Sequence, residues 1–336
     1  MDKQSGQLTH NDLTISLSDE KALTMEQGLA DTLDSSSAVH SWGAFYTKST
    51  TLYNEEGGSA DVSIVGAEDD ARMTEYFTFR TRVGHDPIPF EEDSVILTEK
   101  TALNLELSVG DTFYVEAADG SRVPLVLTGI TENYMFTRLY LSNAQLQALL
   151  GSTPEWNTVY GLTGCTTEAE YNALRTKLLG CNYVSSVSFT EDTTSMFGSL
   201  IGSLNYVVVL IIVCAAALAA VVLYNLISVN LAERKKELAT IKVLGFYDKE
   251  VYRYIFREIE LLSLIGSGVG LLLGVPLHRF IVLTVEMDQL MFIRTIAPHS
   301  YLLAVALTML FTFVVCFAMR RHVRHISMVE SMKAPE

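Results

Sequence analysis

Carboxylates, imidazoles and thiols are the side chains through which a protein does acid–base, metal or redox work, and here they are sparse in useful spacings. Two acidic runs, Glu68-Asp69-Asp70 and Glu91-Glu92-Asp93, offer clustered oxygen ligands of the kind that hold Ca²⁺ weakly; as short runs between apolar segments they read as solvated turns. The histidines stand at 10, 40, 85, 278, 299, 322 and 325, and only His322 and His325 lie at a ligand-like separation. Those two sit in a basic tail, where neighbouring arginines favour interfacial cations over metal ligands. No Gly-x-x-x-x-Gly-Lys-Ser/Thr phosphate loop, His-Glu-x-x-His pair or Gly-x-Ser-x-Gly elbow occurs. Cys165 and Cys181 precede the apolar part of the chain and either pair or remain free thiols; Cys214 and Cys316 read as small apolar residues.

The densest charge lies in Glu233-Arg234-Lys235-Lys236-Glu237, which follows an apolar run directly, and in Glu258 and Glu260, where the next apolar run opens. A carboxylate at a membrane boundary is costly unless it is solvated or paired. Arg253 and Arg257 are within helical reach of Glu258 and Glu260, so a salt bridge and interfacial solvation both remain open. Charges so placed bear on mechanics rather than catalysis.

Three elements must position them. Leu204 to Tyr224 is 21 residues without charge, enough to cross about 30 Å of hydrocarbon as a helix. Leu261 to Val285 and Tyr301 to Met319 are two further spans, the former interrupted only by His278-Arg279 at an expected interface. Between the first two, residues 230–257 form an elbow: Gly245 stops one helix, Phe246 and Tyr247 turn the corner, and Asp248 caps a second helix with Glu250 in its first turn. Gly266, Gly270 and Gly274 recur every four residues, share one helix face and are read as a close-packing surface, for which Ala215, Ala216, Ala219 and Ala220 are a matching partner.

Residues 1–203 hold 29 Asp/Glu against 11 Lys/Arg, while the remainder is slightly basic. So acidic a half excludes nucleic acid as its partner, because phosphate binding needs clustered cations. Lys and Arg gather in the elbow and after the third span, which by the positive-inside rule puts both in the cytoplasm and residues 1–200 outside. Met1 to Ser36 carries no signal-peptide pattern, so an upstream element is expected to carry that half across.

Within 1–198 the pattern is α+β. Residues 1–40 are polar with one surface helix marked by Met25, Leu29 and Leu33. Strands are predicted at Phe45–Thr47, Leu52-Tyr53, Val62–Val65, Phe77–Phe79, Val95–Leu97, Thr112–Val115, Val123–Ile130, the beginning of Tyr140–Leu150, and Tyr183–Phe189. Asp119-Gly120 predicts a tight hairpin, and Glu168–Leu179 a helix burying Tyr171, Leu174, Leu178 and Leu179.

The run Leu231-Ala232-Glu233-Arg234-Lys235-Lys236-Glu237-Leu238-Ala239-Thr240-Ile241-Lys242-Val243-Leu244-Gly245-Phe246, followed by Phe256-Arg257-Glu258 and a Gly-rich span, resembles the FtsX-like permease family, the MacB-type ABC transporter permeases. Val95 to Glu99, Val109-Gly110-Asp111 and Gly129-Ile130 are similar to that family's extracytoplasmic core, and Met328 to Met332 to its closing motif. To the α-helical membrane protein with three transmembrane helices plus an α+β extracytoplasmic domain, divided as 1–198 and 199–336, that the residues themselves give, the resemblance adds a MacB-like core. It implies no catalytic residues, no metal and no cofactor of the chain's own, with ATP bound by a separate cytoplasmic ABC ATPase. The expected coupling residues are Glu233, Arg234, Glu237, Gly245, Phe246, Tyr247, Asp248 and Glu250. The family's minimal unit has four spans, so membrane lipid and a missing N-terminal permease segment or second permease copy are the other expected partners, in a bacterial plasma membrane. A membrane-anchored extracytoplasmic binding or sensing protein without an ATPase is the alternative.

Overall fold

The computed structural model describes residues 7–19, 23, 28–117, 120–234, 237, 240–241, 244–245, 247–285 and 296–324. It divides into two compact units, the first running to Ser199 and the second beginning at Leu200.

The first unit is one mixed sheet with helices on its faces. Its strands are β1 (Leu13–Leu17), β2 (Val39–Tyr53), β3 (Ser59–Ala67), β4 (Val95–Thr98), β5 (Thr112–Glu116), β6 (Arg122–Val126), β7 (Gly129–Thr131), β8 (Arg138–Leu141), β9 (Thr158–Thr163) and β10 (Val184–Phe189). They order as β10-β1-β9-β2-β3-β8-β4-β7, with β5 paired to β2 and β6. The helices are α1 (Leu29–Asp34), α2 (Asp70–Tyr76), α3 (Glu99–Asn104), α4 (Asn143–Leu150) and α5 (Glu168–Leu179).

Alternation along β3 shows how the faces are filled. Val62 and Ile64 enter one core with Leu52, Phe113, Leu141 and Leu146 of α4, whereas Val65 and Ala67 enter another with Phe45, Tyr160 and Met73 and Tyr76 of α2. The second core is aromatic: Phe45 meets Tyr160 edge-on at 4.8 Å, and Phe79 stacks on Phe90 at 5.2 Å. A third cluster joins Leu13 and Ile15 to Leu29, Leu33, Leu174 and Leu178.

Several expectations change. The polar first forty residues contain β1, a strand between β9 and β10, and Leu29 and Leu33 are buried, so α1 is a core helix and not a surface one. Phe45–Thr47 and Leu52-Tyr53 belong to the single long β2. Phe77–Phe79 is no strand: it makes an isolated bridge from Phe77 to Thr9, and Phe77 and Phe79 are held by ring packing. Val123–Ile130 breaks into β6 and β7, where Thr128 turns its backbone and hydroxyl to Val95. Leu179 is exposed, because α5 points Leu174 and Leu178 inward and ends at Gly180. The acidic run at 68–70 is a structural device: Asp69 caps α2, and Asp70 accepts the Asn143 amide at 2.8 Å, tying α2 to α4. Cys165 and Cys181 are free thiols.

The second unit holds the body of α6 (Thr190–Glu233) together with α7 (Asp248–Val285) and α8 (Pro298–Arg324). Three stretches, Asn205–Asn230, Phe256–Thr284 and Pro298–Ala318, are long and apolar enough to cross a membrane. Their large side chains point outward, as with Leu272 and Leu302 at 75% exposure, which suits a hydrocarbon solvent. The second stretch takes in His278, Arg279 and Pro276, so these lie within the helix. Helix α7 packs against α8.

Candidate functional site

The elbow is built from the end of α6 and the start of α7. Leu244 donates its amide to the Thr240 carbonyl at 3.0 Å, and Gly245 then turns the chain at φ +96°, a backbone region that a side chain disfavours. Tyr247 follows at 78% exposure. Its N–H donates to the Glu250 carboxylate at 3.0 Å and its carbonyl accepts the Glu250 amide at 2.9 Å. Glu250 therefore caps the new helix, which opens at Asp248. Phe246 and the side chain of Asp248 lie outside the described residues, and Glu233 and Glu237 are exposed.

Arg234 and Glu258 meet across the elbow. The guanidinium donates through Nη1 to Oε2 at 2.9 Å and through Nη2 to Oε1 at 3.2 Å, the two-pronged geometry that fixes orientation as well as distance. Glu258 is thus paired with α6 and not with Arg253 or Arg257 on its own helix. Both partners were singled out in the sequence, but a separation of 24 residues carries no signal of contact. The pair ties the last turn of α6 to the first apolar turns of α7, near Ile259, which is buried.

The glycine face behaves differently from expectation. A Cβ built on Gly266, Gly270 or Gly274 would meet no atom within 4 Å, so among the described residues no backbone closes on them. Gly266 and Gly270 instead border a groove of about 600 Å³, with Ala215 and Ala219 of α6 and Thr308 and Thr312 of α8 across it. Small side chains line it from all three helices. That surface lets another backbone approach closely.

Residues 209–328 match the family model described as FtsX-like permease C-terminal. The membrane segment is thus similar to the C-terminal region of FtsX-like permeases. Elbow, Arg234–Glu258 pair and groove all fall inside the matched residues. No curated protein matches the chain. Among solved structures, the chain is similar to the periplasmic region of MacB from Actinobacillus actinomycetemcomitans at 13% identity, covering 57% of this chain and 94% of that one with a TM-score of 0.35. It is also similar to the extracellular domain of the ABC-type transporter YknZ from Gram-positive bacteria, at 13% identity, 54% and 100% coverage and a TM-score of 0.34.

The sheet unit holds a second charged centre that the sequence did not announce. Glu132, whose side chain is fully buried, accepts from Tyr134 Oη at 2.5 Å and Arg80 Nε at 2.8 Å, with His85 Nδ1 at 3.4 Å. Burial pushes the carboxyl up, but the Tyr134 hydroxyl and the Arg80 guanidinium outweigh it and hold Glu132 below the usual carboxylate range. Tyr134 is correspondingly pushed up to about 12, by burial and by the carboxylate it donates to. The residues come from segments some fifty positions apart. The centre lies inside the loop packing and exposes no carboxylate for catalysis.

Proposed function

We propose that this chain is the permease subunit of an ABC transporter, or the C-terminal part of one, with residues 1–200 extracytoplasmic and the elbow and C-terminus cytoplasmic in a bacterial plasma membrane. A separate ATPase binds ATP and presses on the elbow through Tyr247, Phe246 and the charged residues Glu233, Arg234, Glu237, Asp248 and Glu250. The motion passes through α6 and α7, two continuous helices, and serves export, extraction or signalling by the sheet unit. A further helix, from a preceding permease segment or a second permease copy, seats in the glycine-lined groove, and lipid covers the outward side chains.

The observation that carries this reading is the permease match over 209–328 together with Tyr247 at 78% exposure on the corner, between the paired Arg234 and Glu258. An exposed tyrosine on a fixed corner is the type of anchor on which docking energy concentrates, at about 2 kcal/mol or more per hot spot. The test is copurification of the cognate ATPase with wild-type chain and with Phe246→Ala/Tyr247→Ala, alongside Ser300→Ala as a control. Loss of ATPase recovery and of stimulated hydrolysis in the double variant alone supports the proposal. Equal recovery in all three removes the elbow from coupling and favours an extracytoplasmic binding or sensing protein.

A further inference from the structure

Helix α6 is rooted in the sheet unit before it reaches its membrane stretch. β10 ends at Phe189 and the helix begins at Thr190, with no connecting loop. The Thr190 amide donates to the Asp12 carbonyl at 2.9 Å and its hydroxyl to the Asn11 carbonyl at 3.0 Å, so the first helical residue is held to the chain just before β1. Asp192 reaches back to accept the Phe189 amide at 3.0 Å, closing the N-terminal turn, and forms an ion pair with Arg175 of α5. The Arg175 guanidinium also lies over the Phe189 ring at 5.2 Å, and Phe189 is buried with Tyr171 edge-on at 4.9 Å. Strand, helix and the approach to β1 all grip the same turn.

Beyond this root the helix changes character. Gly198-Ser199 and Gly202-Ser203 are two Gly-Ser pairs four residues apart, inside a helix unbroken from Thr190 to Glu233. Glycine lowers the helical population about 5-fold relative to alanine, and Gly/Ser pairs are among the few places where helices bend sharply. Close approach of a neighbouring backbone would explain such glycines statically. Here a Cβ built on Gly198 or Gly202 would meet no atom within 4 Å among the described residues, so no packing partner requires them. The division of the chain into two compact units falls in the same segment, between Ser199 and Leu200. Farther on, Asn205–Asn230 contains neither glycine nor proline.

We propose that Gly198 to Ser203 is a hinge in α6, about which the sheet unit swings as one body with the helix's first turns while the membrane stretch beyond stays straight. The bonds at Thr190 and Asp192 make those first turns follow the sheet, and the two glycines are where the helix yields. No ATPase enters this device, so its failure would leave the permease reading standing.

The test is made on the full-length chain in lipid nanodiscs, with Cys165, Cys181, Cys214 and Cys316 replaced by alanine, changes that each remove a single atom. Spin-label distance distributions are measured by double electron–electron resonance for two pairs of introduced cysteines. One pair, at exposed Ala173 of α5 and exposed Tyr206, spans the glycines; the other, at Tyr206 and exposed Val229, spans a glycine-free length of the same helix. All three positions are exposed and helical, so the labels' own freedom contributes alike to both pairs. The first distribution is expected to be about twice as wide as the second, and to narrow to the second's width in Gly198→Ala/Gly202→Ala, where each alanine favours the straight helix about 5-fold. Equal widths for the two pairs before substitution overturn the proposal, as does a width that the double substitution leaves unchanged.

Discussion

Replacing Glu132 by glutamine keeps the shape of the side chain and removes the charge to which Arg80, Tyr134 and His85 are directed. Truncating one partner of a buried ion pair costs about 3–5 kcal/mol because the other charge is left uncompensated. Here the cost is smaller, since the Arg80 side chain keeps 18% exposure and also bonds Gln7 Oε1 at 3.0 Å, so roughly 2 kcal/mol is expected. For a unit of this size that lowers the melting temperature by about 4–8 °C. Both tryptophans, Trp42 and Trp156, lie in the sheet unit, so intrinsic fluorescence follows its unfolding separately from the membrane helices. The pH dependence has a definite sign. A carboxyl held below its ordinary value contributes stability that is fully present above about pH 4.3 and lost as pH falls through its folded value. Wild type and Glu132→Gln should therefore differ at pH 7 and converge in acid. Coincident melts at pH 7, or a gap undiminished near pH 3, would refute the argument.

Other consequences are as direct. Charge reversal at either Arg234 or Glu258 should lower permease-stimulated ATP hydrolysis, and the swap Arg234→Glu/Glu258→Arg should restore much of it; with 38% and 53% side-chain exposure the coupling is held to about 0.5–1 kcal/mol in a double-mutant cycle. No recovery in the swap would reduce the pair to a surface contact. A cysteine at exposed Ser59 should take a membrane-impermeant label from outside cells and one at Tyr247 should not, measured above the native cysteines; the reverse pattern would invert the orientation. Gly270→Leu should leave the unfolding midpoint of the purified chain unchanged, because its Cβ meets nothing within 4 Å. A large loss in the isolated chain would mean that the groove closes in solution.

The sequence announced elements whose cause is local and missed those whose cause is distant. Gly120 turns at positive φ as Asp119-Gly120 predicts, and α5 begins with the capping box of Thr167 and Glu170. The spans were legible from composition, since hydrocarbon demands a long apolar run whatever the neighbours. By contrast β1 is short, and only its place between β9 and β10 makes Leu13 and Ile15 core residues. Phe77–Phe79 has strand composition without strand neighbours, and nothing local reports that. The elbow was legible as a corner because Gly245 and the capping residues act within one turn; the pairing of Arg234 with Glu258 depends on how two long helices meet, which no short window contains.

Under the proposed coupling, that pairing bears on what the elbow would transmit. Two helices packed by interlocking large side chains resist relative motion, because displacement opens voids or forces rotamers off their minima. Facing the groove, α6 and α7 carry Ala215, Ala219, Gly266 and Gly270 beside the larger Ile212, Val222, Leu223 and Leu271, so only part of this surface offers little to interlock. Among the described residues, a two-pronged ion pair joins α6 to α7 at the elbow end, directional yet worth little in free energy at its exposure, where Ile227 and Ile259 are also buried. Under the proposed coupling such a joint would set the direction in which α6 moves, while the ion pair itself adds little to the cost of that motion. Under the proposed coupling the glycines would leave room for that motion, and Tyr247, exposed in the stretch between the two paired residues, would be the point on which an external force acts.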